Sequence, residues 1–161
     1  MYVPAYILKY GVINTFGVVL PKIYDLLKSI YEFENTNVNQ RLKKMDIKYH
    51  LELIESVISQ FKNEETQDGE TYKFPSIDDP ENTMEMHPLI LNIKYLSEIV
   101  SEIHNDLNEI NCIVNGHCQK WFNNWRTLDI EINLINLENN LKILLSRFDD
   151  FIKLNAIYNH K

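Results

Sequence analysis

The chain has 161 residues, of which 45% are hydrophobic and 24% are charged, and it carries a net charge of -7 at pH 7. This length and balance suffice for one globular domain with a buried core, and they exclude wholesale disorder. The negative charge argues against nucleic-acid binding, which needs a basic surface. Two cysteines are too few for a disulfide framework.

Residues 1–33 form an apolar region for which the spacing predicts a helix with a break at Pro21. Lys9 is the only charged residue before Lys22. Pro21 should break or kink the helix because it lacks an amide hydrogen and clashes with the preceding turn. The residues that can share one face are Tyr6, Tyr10, Ile13, Phe16, Leu20, Tyr24, Leu27 and Tyr31.

The environment of residues 1–20 stays open between three alternatives. The segment lacks the basic start and cleavage site of a secretory signal, so an intracellular protein is expected. It also lacks the uninterrupted apolar length of a transmembrane helix. It can be buried in the bundle, lie on a membrane surface, or pack against a protein partner. Tyr6, Tyr10 and Phe16 suit an interface and are candidate contact residues.

A second helix is predicted over residues 40–62, and an acidic loop over residues 63–87. Apolar residues recur in the helix at intervals of three and four. Residues 64–87 contain eight carboxylates and one lysine, which account for the whole net charge, together with one glycine and two prolines. This composition predicts a solvated connector between two halves of the chain, or else a docking strip for a basic partner.

Two long helices are predicted after the loop, over residues 88–126 and 129–155. Their apolar residues alternate four and three apart, which predicts an antiparallel pair packed at a shallow angle. Gly116 is a point of possible kinking in the first of them. The first seam is Leu89, Ile93, Leu96, Val100, Ile103, Leu107, Ile110 and Val114. The second seam is Ile130, Leu134, Leu137, Leu141, Leu144, Phe148 and Phe151.

The stretch "HCQKWFNNWR" at residues 117–126 contains both tryptophans. Trp121 and Trp125 are four residues apart and therefore share one face of a helix. This spacing favours aromatic packing at the end of a bundle. The alternative is an exposed patch that binds a partner, so both tryptophans are also candidate contact residues.

The sequence predicts no catalytic residue, no cofactor and no metal site. Cys112 and Cys118 are six residues apart, on different sides of a helix, and only His117 and Cys118 are adjacent. Zinc sites use other spacings. A glycine-rich phosphate loop and a nucleophile elbow are both absent from the sequence. An enzyme would have to assemble its site from distant residues of the bundle.

Two resemblances follow from these motifs. Over residues 88–155, "HCQKWFNNWR" followed by the helix ending "LLSRFDDFIKL" resembles small all-helical proteins encoded by large eukaryotic DNA viruses. The apolar "GVINTFGVVL", the helix "RLKKMDIKYHLELIESVIS", a loop and two long helices resemble the HeLo-like bundles of membrane-permeabilising cell-death proteins. The second resemblance implies an N-terminal segment that inserts into membrane. The chain departs from it in its acidic loop and in lacking a basic lipid-binding cluster.

Together these observations predict a single all-α domain over residues 1–161. It is a four- to five-helix antiparallel bundle with a long acidic loop between its two halves. The predicted function is that of a non-enzymatic structural or protein-interaction bundle, which is viral, works in the host cytoplasm or the virion, and binds a protein partner or itself. The alternative is a membrane-active HeLo-like bundle that uses residues 1–20.

Overall fold

A computed structural model describes the backbone of residues 5–33, 36–63, 88–118 and 128–159, and side chains for residues 16–33, 37–57, 88, 91–117 and 128–157. The described residues form five helices and no strand. The helices are α1 (Ala5–Glu32), α2 (Thr36–Met45), α3 (Ile47–Asn63), α4 (Pro88–Cys118) and α5 (Glu131–Asn159). The predicted all-α class is confirmed. Apart from Asn63, which ends α3, the predicted acidic loop lies outside the described residues, and so do residues 119–126, about the last two turns of the helix predicted over residues 88–126.

Asp46 separates α2 from α3, where the spacing predicts one helix over residues 40–62. Its φ is 47°, in the left-handed region that aspartate tolerates better than most residues. The Asp46 amide donates to the carbonyl of Lys43 at 3.3 Å, and the Asp46 carbonyl accepts from the amide of His50 at 3.2 Å. One left-handed residue therefore ends α2 and begins α3.

Helix α1 is continuous through Pro21, so the break predicted there is absent. A proline inside a helix costs about 3 kcal/mol. The two residues that flank Pro21 on the inner face, Leu20 and Ile23, are completely buried. Burial of such a side chain contributes roughly 1.5–3 kcal/mol, so packing on both sides offsets the lost hydrogen bond. Helix α4 is likewise continuous through Gly116.

Helices α4 and α5 run antiparallel, as the sequence predicts. Near the start of α5, Asn133 Nδ2 donates to Glu109 Oε2, late in α4, at 3.0 Å. Late in α5, Arg147 Nη1 donates to the carbonyl of Tyr95, early in α4, at 2.7 Å.

Helices α1 and α4 form the most extensive helix contact, and they run parallel. Ser29 Oγ donates to Asn111 Oδ1 at 2.9 Å, and the rings of Phe33 and His117 meet edge to face with centroids 6.4 Å apart. Both contacts join the C-terminal ends of the two helices. Helix α3 packs on α1, and α2 and α3 both reach α5. The bundle therefore consists of four helical segments: α1, α4, α5 and the segment formed by α2 and α3 in succession.

The core is apolar along its whole length, and among the described side chains no polar or charged residue is buried. Every member of the predicted α4 seam with a described side chain is buried. The predicted α5 seam is buried except for Phe148, which is partly buried against the core.

The buried face of α1 differs from the predicted one. It is formed by Phe16, Leu20, Ile23, Leu27 and Ile30. Tyr24 is only partly buried and Tyr31 is exposed. The two isoleucines fill the interior without a hydroxyl group that would need a hydrogen-bond partner, so the helix is turned to bury them in place of the tyrosines.

We expect Leu107→Ala, in the middle of α4, to lower the free energy of unfolding by about 2–5 kcal/mol, because a completely buried leucine leaves a cavity. Val18→Ala, at a position 58% exposed on α1, is the control and should change it by no more than about 0.5 kcal/mol. Denaturant unfolding measures both. Equal unfolding midpoints for the two variants would contradict the α4-centred core.

Candidate interaction surface

The five contact candidates from the sequence fall in different places. Phe16 is in the core, only 3% exposed, and is therefore packed inside this chain. Tyr6 and Tyr10 lie in the first turns of α1, before the first described side chain. Trp121 and Trp125 lie outside the described residues. The role of these last four stays a prediction.

The surface of α5 that faces away from the core carries four exposed isoleucines. Ile132 is 69% exposed and Ile157 58%, while Ile135 and Ile143 are about two-fifths exposed. Polar residues separate them along the same face. We call this surface the α5 outer face, and its members are Ile132, Ile135, Asn136, Asn139, Ile143, Ser146, Asp150, Lys153 and Ile157. All nine are exposed.

Sequence reasoning missed this face, although a signal was present. The leucine and phenylalanine seam of α5 accounts for one side of the helix, and four of the five isoleucines of α5 fall on the opposite side. They lie at intervals close to whole helical turns, so they share a face. A second apolar set on one helix indicates a second contact surface.

A cleft of about 410 Å³ opens beside the C-terminal end of the α5 outer face, between α5 and the start of α4. We call it the α4–α5 cleft. Its walls are mainly apolar, and Leu91, Tyr95 and Ile157 are exposed within it. The lining residues are Pro88, Leu91, Asn92, Tyr95, Asp150, Lys153, Leu154 and Ile157. Asp150, Lys153 and Ile157 belong to both features, so the cleft and the outer face form one continuous surface.

Polar contacts fix one wall of the cleft. The Arg147 guanidinium lies over the Tyr95 ring at 5.3 Å from its centroid, in addition to its hydrogen bond to the Tyr95 carbonyl. Such an arrangement holds the tyrosine ring in place. Lys153 pairs with Asp149, and the hydrogen bond to Asp149 raises the pKa of Lys153. Asn92 also lines this wall, and its Oδ1 is buried with no hydrogen-bond partner among the described residues.

The charges on the α2-facing edge of the outer face are paired. Arg41 Nη1 lies 2.6 Å from both carboxylate oxygens of Glu131, and its Nη2 lies 3.9 Å from Glu138. Lys142 Nζ lies 2.9 Å from Glu138. The hydrogen bond and charge of Lys142, and then the charge of Arg41, lower the pKa of Glu138. The edge therefore presents paired ions at neutral pH.

The opposite edge of α5 is joined to α4 by polar side chains. Asn140 Nδ2 donates to Asp106 Oδ2 at 2.7 Å. Burial raises the pKa of Asp106 more than this hydrogen bond lowers it, and the neighbouring Glu109 and Glu102 raise it further. Together with the contacts of Asn133 and Arg147, this bond holds α5 in the orientation that points its isoleucines outward.

In the described part of the chain, no group of three or more histidine, cysteine, aspartate or glutamate side chains is placed to hold a metal ion. None of its helices combines the length and the apolar character needed to cross a membrane.

The described residues define a small all-α bundle with exposed isoleucines on α5. The chain is similar to an uncharacterised protein, L717, of Acanthamoeba polyphaga mimivirus, with 31% identity over an alignment that covers 93% of this chain and 77% of the relative. The chain belongs to the family of that mimivirus protein. No family model and no solved structure matches it. The resemblance to helical proteins of large DNA viruses is thus supported by a viral relative, and the HeLo-like resemblance is not confirmed.

We expect Asp106→Asn to stabilise the bundle at pH 7 and to lose this advantage in acid. The pKa of Asp106 is raised from 3.8, so the folded state binds its proton more tightly than the unfolded state. The stabilisation that comes from protonated Asp106 is fully present below about pH 4, and it is lost as the pH rises through the pKa of Asp106 in the folded state. Asparagine removes the ionisation and keeps a hydrogen bond to Asn140. Denaturant unfolding at pH 7 and pH 3 measures the difference.

Asp25→Asn, at an exposed position of α1, is the matched control for this charge change. The difference in free energy of unfolding between Asp25→Asn and the parent should be about the same at pH 7 and at pH 3. An Asp106→Asn variant that is less stable than the parent at pH 7 and regains stability at pH 3 would show that ionised Asp106 stabilises the bundle.

Proposed function

We propose that this chain is a non-enzymatic protein-interaction bundle of a large DNA virus, acting in the infected cell or the virion. The α5 outer face and the α4–α5 cleft are its binding surface. The observation that carries the proposal is the continuity of these two features: an exposed helix face with four isoleucines leads directly into an apolar cleft. Single apolar residues on a surface are ordinary, whereas several exposed isoleucines on one helix face beside an apolar cleft are typical of a binding site.

The free energy gained by covering the four isoleucines is large enough to support binding of a partner. The exposed fractions of the four isoleucines add up to about two whole side chains. Covering them would contribute on the order of 3–6 kcal/mol at roughly 1.5–3 kcal/mol per isoleucine. The cleft adds apolar surface, because Leu91, Tyr95 and Ile157 are exposed in it. An apolar centre with a few polar groups around it is the usual composition of a protein interface.

The membrane-active alternative is less well supported. It requires residues 1–20 to leave the bundle for lipid, but Phe16 and Leu20 are packed in the core. Withdrawing them would open the contact between α1 and α4 that is the most extensive in the bundle, at a cost of several kcal/mol, roughly 3–5 for a phenylalanine alone. The outer face of α5 is available without any such rearrangement.

Site-specific photocross-linking tests the proposal. We expect p-benzoylphenylalanine at Tyr95 or Ile143 of the full chain to give a discrete protein adduct in the infected cell, because both positions lie in the binding surface. The same probe at Asn105, an exposed position of α4 outside the cleft, is the control and should give at least severalfold less. If neither surface position exceeds Asn105, this surface binds no protein and the proposal fails.

A further inference from the structure

The partner of the binding surface can be inferred from the chemistry of the α5 outer face, and this step rests on the proposed function. We propose that the partner is a second copy of this chain, bound with the two α5 helices side by side and antiparallel.

Eight of the nine residues of the α5 outer face form one row along the helix, which we call the seam. From Ile132 to Ile157 they are separated by four and three residues in alternation, so a second helix can lie along them, and Ile135 lies beside the row. The seam reads Ile132, Asn136, Asn139, Ile143, Ser146, Asp150, Lys153, Ile157. At about 1.5 Å per residue it is about 38 Å long, enough for a continuous helix pair.

The charge pattern of the seam selects an antiparallel second copy. With Ile132 of one copy opposite Ile157 of the other, Asn139 meets Asp150 and Asn136 meets Lys153. Both are pairs that can form charge-assisted hydrogen bonds. Parallel pairing in register would place Asp150 against Asp150 and Lys153 against Lys153, and like charges at close range are destabilising. Antiparallel pairing has no such contact along the seam.

One end of the face carries a highly exposed isoleucine, and the other end lies beside the cleft. Ile132 is the most exposed of the large hydrophobic residues that the structure describes, and it projects from the N-terminal end of α5. The apolar cleft lies at the other end, around Ile157. The antiparallel register places Ile132 of each copy at the mouth of the cleft of the other, against Leu91 and Tyr95. In a two-fold symmetric dimer, Ile132 of each copy then occupies the α4–α5 cleft of the other copy.

The association should be of moderate strength. Five of the eight seam residues are polar, and each copy carries a net charge of -7, so the interface is less apolar than that of an obligate dimer. We expect a dissociation constant on the order of micromolar. Sedimentation equilibrium of the purified full chain should therefore show a monomer–dimer equilibrium that depends on concentration in this range.

Substitutions test which surface is used. Ile143→Asp and Ile132→Asp should each raise the dissociation constant at least tenfold, because each places a charge in the seam. Leu53→Asp, at an exposed position of α3 outside the surface, is the matched control and should leave it unchanged. Far-ultraviolet circular dichroism checks that all three variants keep their helix content. A dimer that is weakened equally by Leu53→Asp, or by none of the three, would overturn the proposed interface.

Disulfide trapping tests the orientation, in a background with Cys112→Ser and Cys118→Ser. Mixing an Ile132→Cys chain with an Ile157→Cys chain should give a cross-linked dimer of the two different chains, and neither variant alone should cross-link. Cross-linking within each variant alone would indicate parallel helices and overturn the antiparallel arrangement.

The outcomes separate this inference from the proposed function. If the purified chain stays monomeric to several hundred micromolar while Ile143 photocross-links to another protein, the self-association is wrong and the interaction surface stands. If Ile143 and Tyr95 give no adduct of any kind, the proposed function fails as well. An adduct between two copies of the chain supports both.

Discussion

The rest of the structure depends on the burial of α4 between α1 and α5. Ile99 and Val100 are neighbours in sequence, and both are buried, because α4 has two partners to cover and needs an apolar arc wider than a single seam. This double contact sets the direction of α1 and of α5. It also decides which side of α5 remains outside, since the leucine seam of α5 has to face α4.

The long apolar repeats of α4 and α5 made this arrangement predictable. The break at Asp46 and the buried face of α1 could not be predicted in the same way. The α4 and α5 seams extend over many turns, so one exception does not hide the period. Asp46 is a single left-handed residue, and its only trace in the apolar pattern is the two-residue step from Met45 to Ile47, which is easily overlooked between two regular stretches. In α1 nearly every side is apolar before Pro21, and only the contact with α4 decides that Ile23 and not Tyr24 is buried.

The candidate surface was harder to predict from the sequence than the fold. Attention falls on rare aromatic residues such as Trp121 and Trp125, whereas the exposed face of α5 is built from isoleucine, a common residue in this chain. The face could have been identified from the second apolar set on α5. The cleft could not, because it depends on how α4 and α5 separate near Pro88 and Ile157, and that geometry follows from the packing of whole helices.

The polar residues between the isoleucines keep this face outside the core. Apolar burial alone would distinguish poorly between the two sides of α5, because isoleucine and leucine gain nearly the same free energy when buried. Turning the outer face inward would bury Asn139, Asp150 and Lys153 among aliphatic side chains without partners, which is costly for amides and far more so for charges. The same turn would break the bond between Asn140 and Asp106. The polar residues of the α5 outer face therefore keep this face out of the bundle core. A partner surface that forms hydrogen bonds with these polar residues can cover the face.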